Sequence, residues 1–349
     1  MNPSWTARQK KFALSARTAL CLLALVLGFL WFVPGRAALS PDETVLWRRV
    51  RAAQGHLHSW RGESGLVPAP SEDPWKTGFT GVEWSPVTTT LGPIGAKRTA
   101  ADPLWAVYTL RQLRGMGLKK GDRVAVCSSS SFPGLVWSIL AALEHLDIDV
   151  LWIHSLGSST WGANVPGILW PAFEASLRKG GFLKRKADWY TLGGRAEMGL
   201  DLPPEGRSLL LEAARESGVP VLEAESLAVM IDRKAALLEN FLPRLVILVG
   251  GSAANFGGGE TEAPEGGIYV PGKSLEKEFP SGIFSRALQA GIPVMHFLNL
   301  RSLGRLAGIP YDGRPVPRFR TPGGAALPLL GLCIFLGFLA FFHRWGTAS

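Results

Sequence analysis

Four consecutive serines, Ser128, Ser129, Ser130 and Ser131, follow the short apolar run RVAVC. Serine hydroxyls beside the first N–H groups of a helix can hold a carboxylate or a phosphate, while the plainer use of the same residues is to cap that helix. Two further small polar clusters stand behind apolar runs. Residues 157–164 follow DVLWIHS and offer Ser158, Ser159, Trp161 and Asn164; residues 250–255 follow LVILV and offer Gly250, Gly251 and Ser252. His154 and His296 each lie near the end of an apolar run, where an imidazole can act as base or ligand; the plain alternative is a buried, hydrogen-bonded histidine. Asn299 comes three residues after His296 and adds a polar lining.

The polar stretch GVEWSPVTTTLGPIGAKRTA, residues 81–100, has no clear hydrophobic period. Glu83 in it can serve as a general base, Lys97 and Arg98 can clamp a carboxylate-rich ligand, and Ser85, Thr88, Thr89 and Thr90 supply hydroxyls. A surface loop is the competing reading. Glu83, Ser128, His154 and His296 are the catalytic candidates, and the other named residues are candidates for ligand binding. The fingerprints GxGxxG, GxSxG and HExxH are missing, so the common dinucleotide, serine-hydrolase and zinc-hydrolase signatures give no support. No cofactor and no metal site are expected.

These clusters need a scaffold. Ser40-Pro41-Asp42-Glu43 is a helix start, and residues 40–60 read as amphipathic. Asp102-Pro103 opens a helix reaching about Met116, and Pro133 opens one that joins the RVAVC and DVLWIHS strands into a βαβ unit. Downstream, Pro204 to Ser217 reads as a helix, VPVLE as a strand, Leu227 to Asn240 as a helix, LVILVGG as a strand, residues 257–267 as a glycine-rich loop, Ser281 to Ala290 as a helix, and IPVMHFLNL as a last strand. Strands alternating with helices predict an α/β fold with a doubly wound, mainly parallel sheet, with the loops after Cys127, Ser155 and Val249 meeting at one edge.

The chain of 349 residues carries a net charge of +9, but the charge is not spread along it. Arg8, Lys10, Lys11 and Arg17 stand before the first apolar run, and Arg314, Arg318, Arg320 and Arg344 flank the last one, with no acid in residues 1–17 or 313–349. The interior is left with about +1, which argues against nucleic-acid binding. The run from Thr18 to Val33 and that from Ala325 to Phe342 are free of charge and near the length that spans a bilayer. The expected organisation is a basic segment 1–17, transmembrane helices at 18–34 and 325–343, and an α/β domain at 40–320. A cleaved signal peptide is the alternative for the first helix. Cys21 and Cys333 fall inside the apolar runs, leaving only Cys127 between them. The basic N-terminus places that domain outside the cytoplasmic (inner) membrane of a bacterium, although the arginines before the second helix argue the opposite way.

Taken in order, EWSPVTTTLGPIGAKRTA, SSSSFPG, SLGSSTWGAN, LVGGSA and GIPVMHFLN make the chain resemble the poly-gamma-glutamate system proteins, over about residues 81–311. The resemblance implies a membrane-anchored accessory component of poly-γ-glutamate biosynthesis or export, a capsule or envelope polymer. Its partners would be the lipid bilayer, other membrane subunits of that system, and the anionic polymer or its precursor. It implies no catalytic residue. The residues themselves leave open a hydrolase or transferase acting on an amide-linked anionic polymer, with Glu83, His154 and a serine in one pocket, or a non-catalytic scaffold.

Overall fold

A computed structural model describes residues 18, 20–27, 35–258, 263–272, 280–321 and 326–347. It divides into two compact units, 39–317 and the two chain ends taken together.

The larger unit begins with α1 (Pro41–Glu63), started by a capping box in which Ser40 Oγ accepts from the Glu43 N–H and the Glu43 carboxylate accepts from the Ser40 N–H. After a long irregular stretch come β2 (Thr88–Thr90), α2 (Ile94–Ala100) and α3 (Leu104–Gly115). A βαβ unit follows: β3 (Arg123–Ser129), α4 (Pro133–His145) and β4 (Asp149–Ser155). The chain continues through β5 (Ser158–Ser159), α5 (Trp170–Lys179), β6 (Trp189–Thr191), α6 (Pro204–Ser217) and α7 (Leu227–Phe241). It ends through β7 (Leu245–Val249), α8 (Ala253–Phe256), β8 (Gly267–Tyr269), α9 (Ile283–Gln289), β9 (Val294–Phe297) and α10 (Leu300–Ala307).

Six of these strands form one sheet in the order β6-β4-β3-β7-β9-β8, parallel except for β8 against β9. From β3 the chain winds outward through β4 to β6, then returns to the other side of β3 and winds through β7 to β9. That is the doubly wound arrangement, and the direction of winding reverses between β3 and β7. Both strands are almost wholly buried, as a parallel strand covered on both faces must be. One face of the sheet packs Ala125, Cys127, Val246 and Leu248 against Met230, Ile231, Ala254 and Phe284. On α4 every residue from Pro133 to Leu143 is buried, with Trp137 among the largest enclosed side chains.

The structure corrects two local expectations. VPVLE is not a sheet strand; it contributes one bridge, Val221 to Tyr190, and the neighbouring strand is β6. The 81–100 stretch is not a bare loop, because β2 pairs in parallel with β5 and Pro93 starts α2. Residues 259–262 of the expected glycine-rich loop lie outside the described residues.

In the smaller unit β1 (Gly35–Ala38) pairs antiparallel with β10 (Arg318–Thr321), followed by α11 (Ala326–Thr347). Residues 20–27 are helical, and a Cβ added at Gly331 would collide with the Leu27 side chain, so the two helices touch there. Among the described residues no helix is long and apolar enough to cross a membrane. Much of the 1–34 region lies outside the described residues, and side chains of α11 are described for 329–340 only.

Candidate functional site

Where the winding reverses, the loops that leave the carboxyl ends of β3, β4, β6, β7 and β9 diverge around a cleft of about 890 Å³. A crevice at this place follows from topology, because neighbouring loops there turn to opposite faces of the sheet. Ser129 ends β3 and Ser131 comes from the loop after it, Ser159 from the one after β4, and Gly250, Gly251 and Ser252 from the one after β7. Asn299 comes from beyond β9, while Thr89, Thr90 and Lys97 are brought in from the 81–100 segment. Three separate sequence clusters therefore meet at one sheet edge, and the polar segment before them closes over it.

Lys97 is the chemically unusual group in this cleft. It is 4% exposed, and its Nζ donates to Ser131 O and lies 2.5 Å from Ser159 Oγ. The Phe132 ring lies beneath it at 4.0 Å, a cation–π distance. No carboxylate stands within ion-pair distance among the described residues, so burial without a counter-charge brings its pKa down to about 7. Arg98, the expected twin, faces elsewhere: its guanidinium holds Asp312 through two bonds of 2.6 Å and does not line the cleft.

Glu197, Arg195, Asp201, Arg301 and Tyr311 also line the cleft, and none of them stood out in the sequence. The turn that presents the first three holds Gly193, Gly194, Ala196 and Glu197 at positive φ, a backbone without a sequence period; only the Gly193-Gly194 pair hinted at it. Glu197 is buried and saturated. Lys234 Nζ donates to both of its oxygens at 2.6 and 2.8 Å, Thr191 Oγ1 donates at 3.0 Å, and the Ser155 and Ser252 hydroxyls also donate. A carboxylate with its lone pairs so engaged is a clamp for the ends of β4, β6 and β7, not a free base.

The histidines are core residues. His154 is fully buried and stacked on Trp170, with ring centroids 4.6 Å apart. Trp152 Nε1 donates to Ser128 Oγ, and the two His154 ring nitrogens meet hydroxyls, Nδ1 at 2.8 Å from Ser128 Oγ and Nε2 at 3.0 Å from Ser130 Oγ. Both ring nitrogens are thus spent, and burial keeps the imidazole neutral, with its pKa well below the ordinary value. His296 is likewise buried beside Phe256, its pKa lowered to about 4 by desolvation, which nearby backbone carbonyls offset only in part. Glu83 is exposed and borders a separate shallow depression with Trp161. The pocket joining Glu83, His154 and a serine does not form.

Ser85, Thr88 and Asn164 form a fastening: Asn164 Nδ2 donates to Val82 O and Thr88 Oγ1, while Val82 N donates to Asn164 Oδ1. Ser158 is sealed, its hydroxyl bonded to Ser130 O. The Cys127 thiol is pushed up to about 11 by burial, which leaves it unreactive.

No family model and no curated protein sequence matches the chain. Among solved structures, an open conformation of 2-hydroxyisobutyryl-CoA ligase in complex with 2-HIB-AMP and CoA is similar at 20% identity, over 48% of this chain and 28% of that one, with a TM-score of 0.17. The chain spans under a third of that protein's length, and a likeness at so low a score carries neither fold nor chemistry across.

Proposed function

We propose that the cleft binds a carboxylate-rich anionic ligand, and that the protein serves as a membrane-anchored accessory component of poly-γ-glutamate synthesis or export. The observation that carries the ligand class is the charge at the cleft. Arg195 and Arg301 at its mouth and Lys97 at its floor have no carboxylate within ion-pair distance among the described residues, whereas Glu197 is neutralised by Lys234 and the other lining carboxylate, Asp201, accepts the Arg195 backbone N–H. Arg301 stacks on Tyr311, 4.2 Å from guanidinium carbon to ring centroid, which holds its planar donors in place. Guanidinium groups so placed suit carboxylates presented in series.

Support for the anchor comes from the helices at the two ends. Leu22, Leu25 and Val26 on one, and Leu329, Leu330, Leu332, Ile334, Leu336 and Phe338 on the other, are exposed apolar side chains that water would disfavour and lipid would cover. The bacterial inner membrane and an extracytoplasmic position for the domain remain part of this reading, carried by the basic N-terminal flank.

The test is binding of poly-γ-glutamate oligomers to the purified full chain in detergent, measured by calorimetry against a neutral polyglutamine control. Wild type should prefer the acidic polymer, and Arg195→Ala and Arg301→Ala should each weaken it by roughly tenfold, the value of a charge-assisted hydrogen bond. Equal affinity for both polymers, or unchanged affinity in the double variant, overturns the reading.

A further inference from the structure

Among the nucleophilic side chains near the sheet edge, Ser159 differs from the rest. Ser128 and Ser130 are committed to His154, Ser158 to Ser130 O, and Ser252 to Glu197. Ser131 Oγ accepts the Ser159 N–H, and Lys97 meets the Ser131 carbonyl, not its hydroxyl. Ser159 alone of these puts its hydroxyl 2.5 Å from the Lys97 amine, in the wall of the cleft.

The local architecture holds that pair rigidly. Ser159 sits in β5, paired with β2, and the next residue, Thr160, exchanges two hydrogen bonds of 2.7 Å with the Gly92 backbone. Lys97 stands on α2 just beyond Gly92, so one clamp sets both partners. Gly92 borders the pair on the cleft side: a Cβ there would lie 3.5 Å from both Ser159 Oγ and Lys97 Nζ, so a larger side chain would crowd an approaching acyl group.

We propose that Lys97 and Ser159 form a base and nucleophile dyad, and that the cleft performs acyl transfer on an amide or ester flanked by carboxylates. The substrate class rests on the anion-binding reading above; the dyad does not. Neutral Lys97 accepts the proton of Ser159 Oγ as that oxygen bonds to the acyl carbon. Lys97 then gives the proton to the leaving amine as the C–N bond breaks, leaving an acyl ester on Ser159. Water attacks the ester, Lys97 takes its proton, the Oγ–C bond breaks, and the proton returns to Ser159. One water is consumed, and one carboxylic acid and one amine are released; an amine in place of water would rejoin two chains. A lysine with its pKa near 7 is matched to this duty at neutral pH, because half of it is already unprotonated and no acid holds the proton.

A fluorophosphonate probe on the full chain in detergent micelles, with the labelled peptide identified by mass spectrometry, tests the dyad. Wild type should be labelled at Ser159, at a rate that rises through about pH 7. Ser159→Ala should abolish labelling, and Lys97→Met should slow it by about a hundredfold or more and remove the pH inflection. Gly92→Val, which covers the pair without removing either group, should also slow it while cooperative unfolding persists; with the wild-type pH profile it decides the matter should Lys97→Met fail to fold. Labelling elsewhere, no labelling of folded wild type, or an unchanged rate and pH profile in Lys97→Met overturns the proposal. Polymer binding without labelling leaves the anion site standing and the dyad refuted, whereas labelling without polymer binding supports the dyad and refutes the anion site.

Discussion

Arg98 and Asp312 join by two parallel bonds of 2.6 Å, Nε to Oδ1 and Nη2 to Oδ2, and so bring chain segments 214 residues apart into one wall of the cleft. Thr99 Oγ1 receives the Asp312 N–H, and Tyr311 beside it lines the cleft. The pair is partly exposed, at 17% and 33%, so its worth is that of a screened two-pronged bridge, about 1 kcal/mol. Asp312→Ala should therefore lower stability by roughly that amount, while freeing Tyr311. A double-mutant cycle with Arg98→Ala, read by denaturant unfolding, should give a positive coupling; independent effects would show that the bridge fastens nothing.

The pair also explains why, of the two neighbouring cations the sequence placed at the site, only Lys97 lines the cleft. Lys97 and Arg98 are adjacent, and adjacent residues on a helix point about 100° apart, so one can face the cleft while the other faces the 310s. A segment without an apolar period looked irregular, and seven residues of α2 are too few to show one. The continuous apolar runs of β3, β4 and β7 and the small polar loops behind them were legible, because strands buried on both faces leave that signature. The three-residue strands β6 and β8 left none. Arg195, Glu197 and Arg301 went unseen because their place depends on a turn of positive-φ residues and on α10 packing against α2, both set by tertiary packing.

Glu197 and Lys234 are 1% and 2% exposed, and each is the other's only counter-charge among the described residues. Removing one partner strands the other in the core, a loss of about 3–5 kcal/mol. Lys234→Met should cost that much in urea unfolding, and Glu197→Gln combined with Lys234→Met should recover a large part of it. If the double variant is no more stable than the single one, the pair is not what holds the ends of β4, β6 and β7.

Two buried neutral histidines should make the domain sensitive to acid. In the unfolded chain each takes up a proton below its ordinary value of 6.5, whereas in the fold His154 titrates well below that and His296 at about 4. The unfolded state then binds more protons in this window, so stability is full above 6.5 and falls as pH drops from there toward 4 and beyond. Replacing His296 by Phe should flatten the slope of unfolding free energy between pH 6.5 and 4 relative to wild type. An unchanged slope would mean that His296 is already protonated in the fold.

Lys97 predicts a trade between stability and chemistry whose sign can be read from pH alone. Its amine titrates near 7 in the fold against 10.5 unfolded, so between those values the unfolded chain holds the extra proton and stability rises with pH. Below 7 both states are charged, and the fold carries the whole desolvation cost. At about 1.4 kcal/mol for each tenfold change that cost is several kcal/mol, reduced by loss of the two hydrogen bonds that Lys97 makes, at about 1 kcal/mol each. Lys97→Met should thus raise the unfolding free energy by on the order of 2 kcal/mol at pH 6, and the gain should shrink as pH climbs from 7 toward 10. Denaturant titrations of both proteins at pH 6, 8 and 10 give the comparison directly. A variant less stable than wild type at pH 6, or a difference that does not change with pH, would show that the Lys97 amine is well solvated or paired in the fold, and the buried uncompensated charge on which both its acidity and its base role depend would be lost.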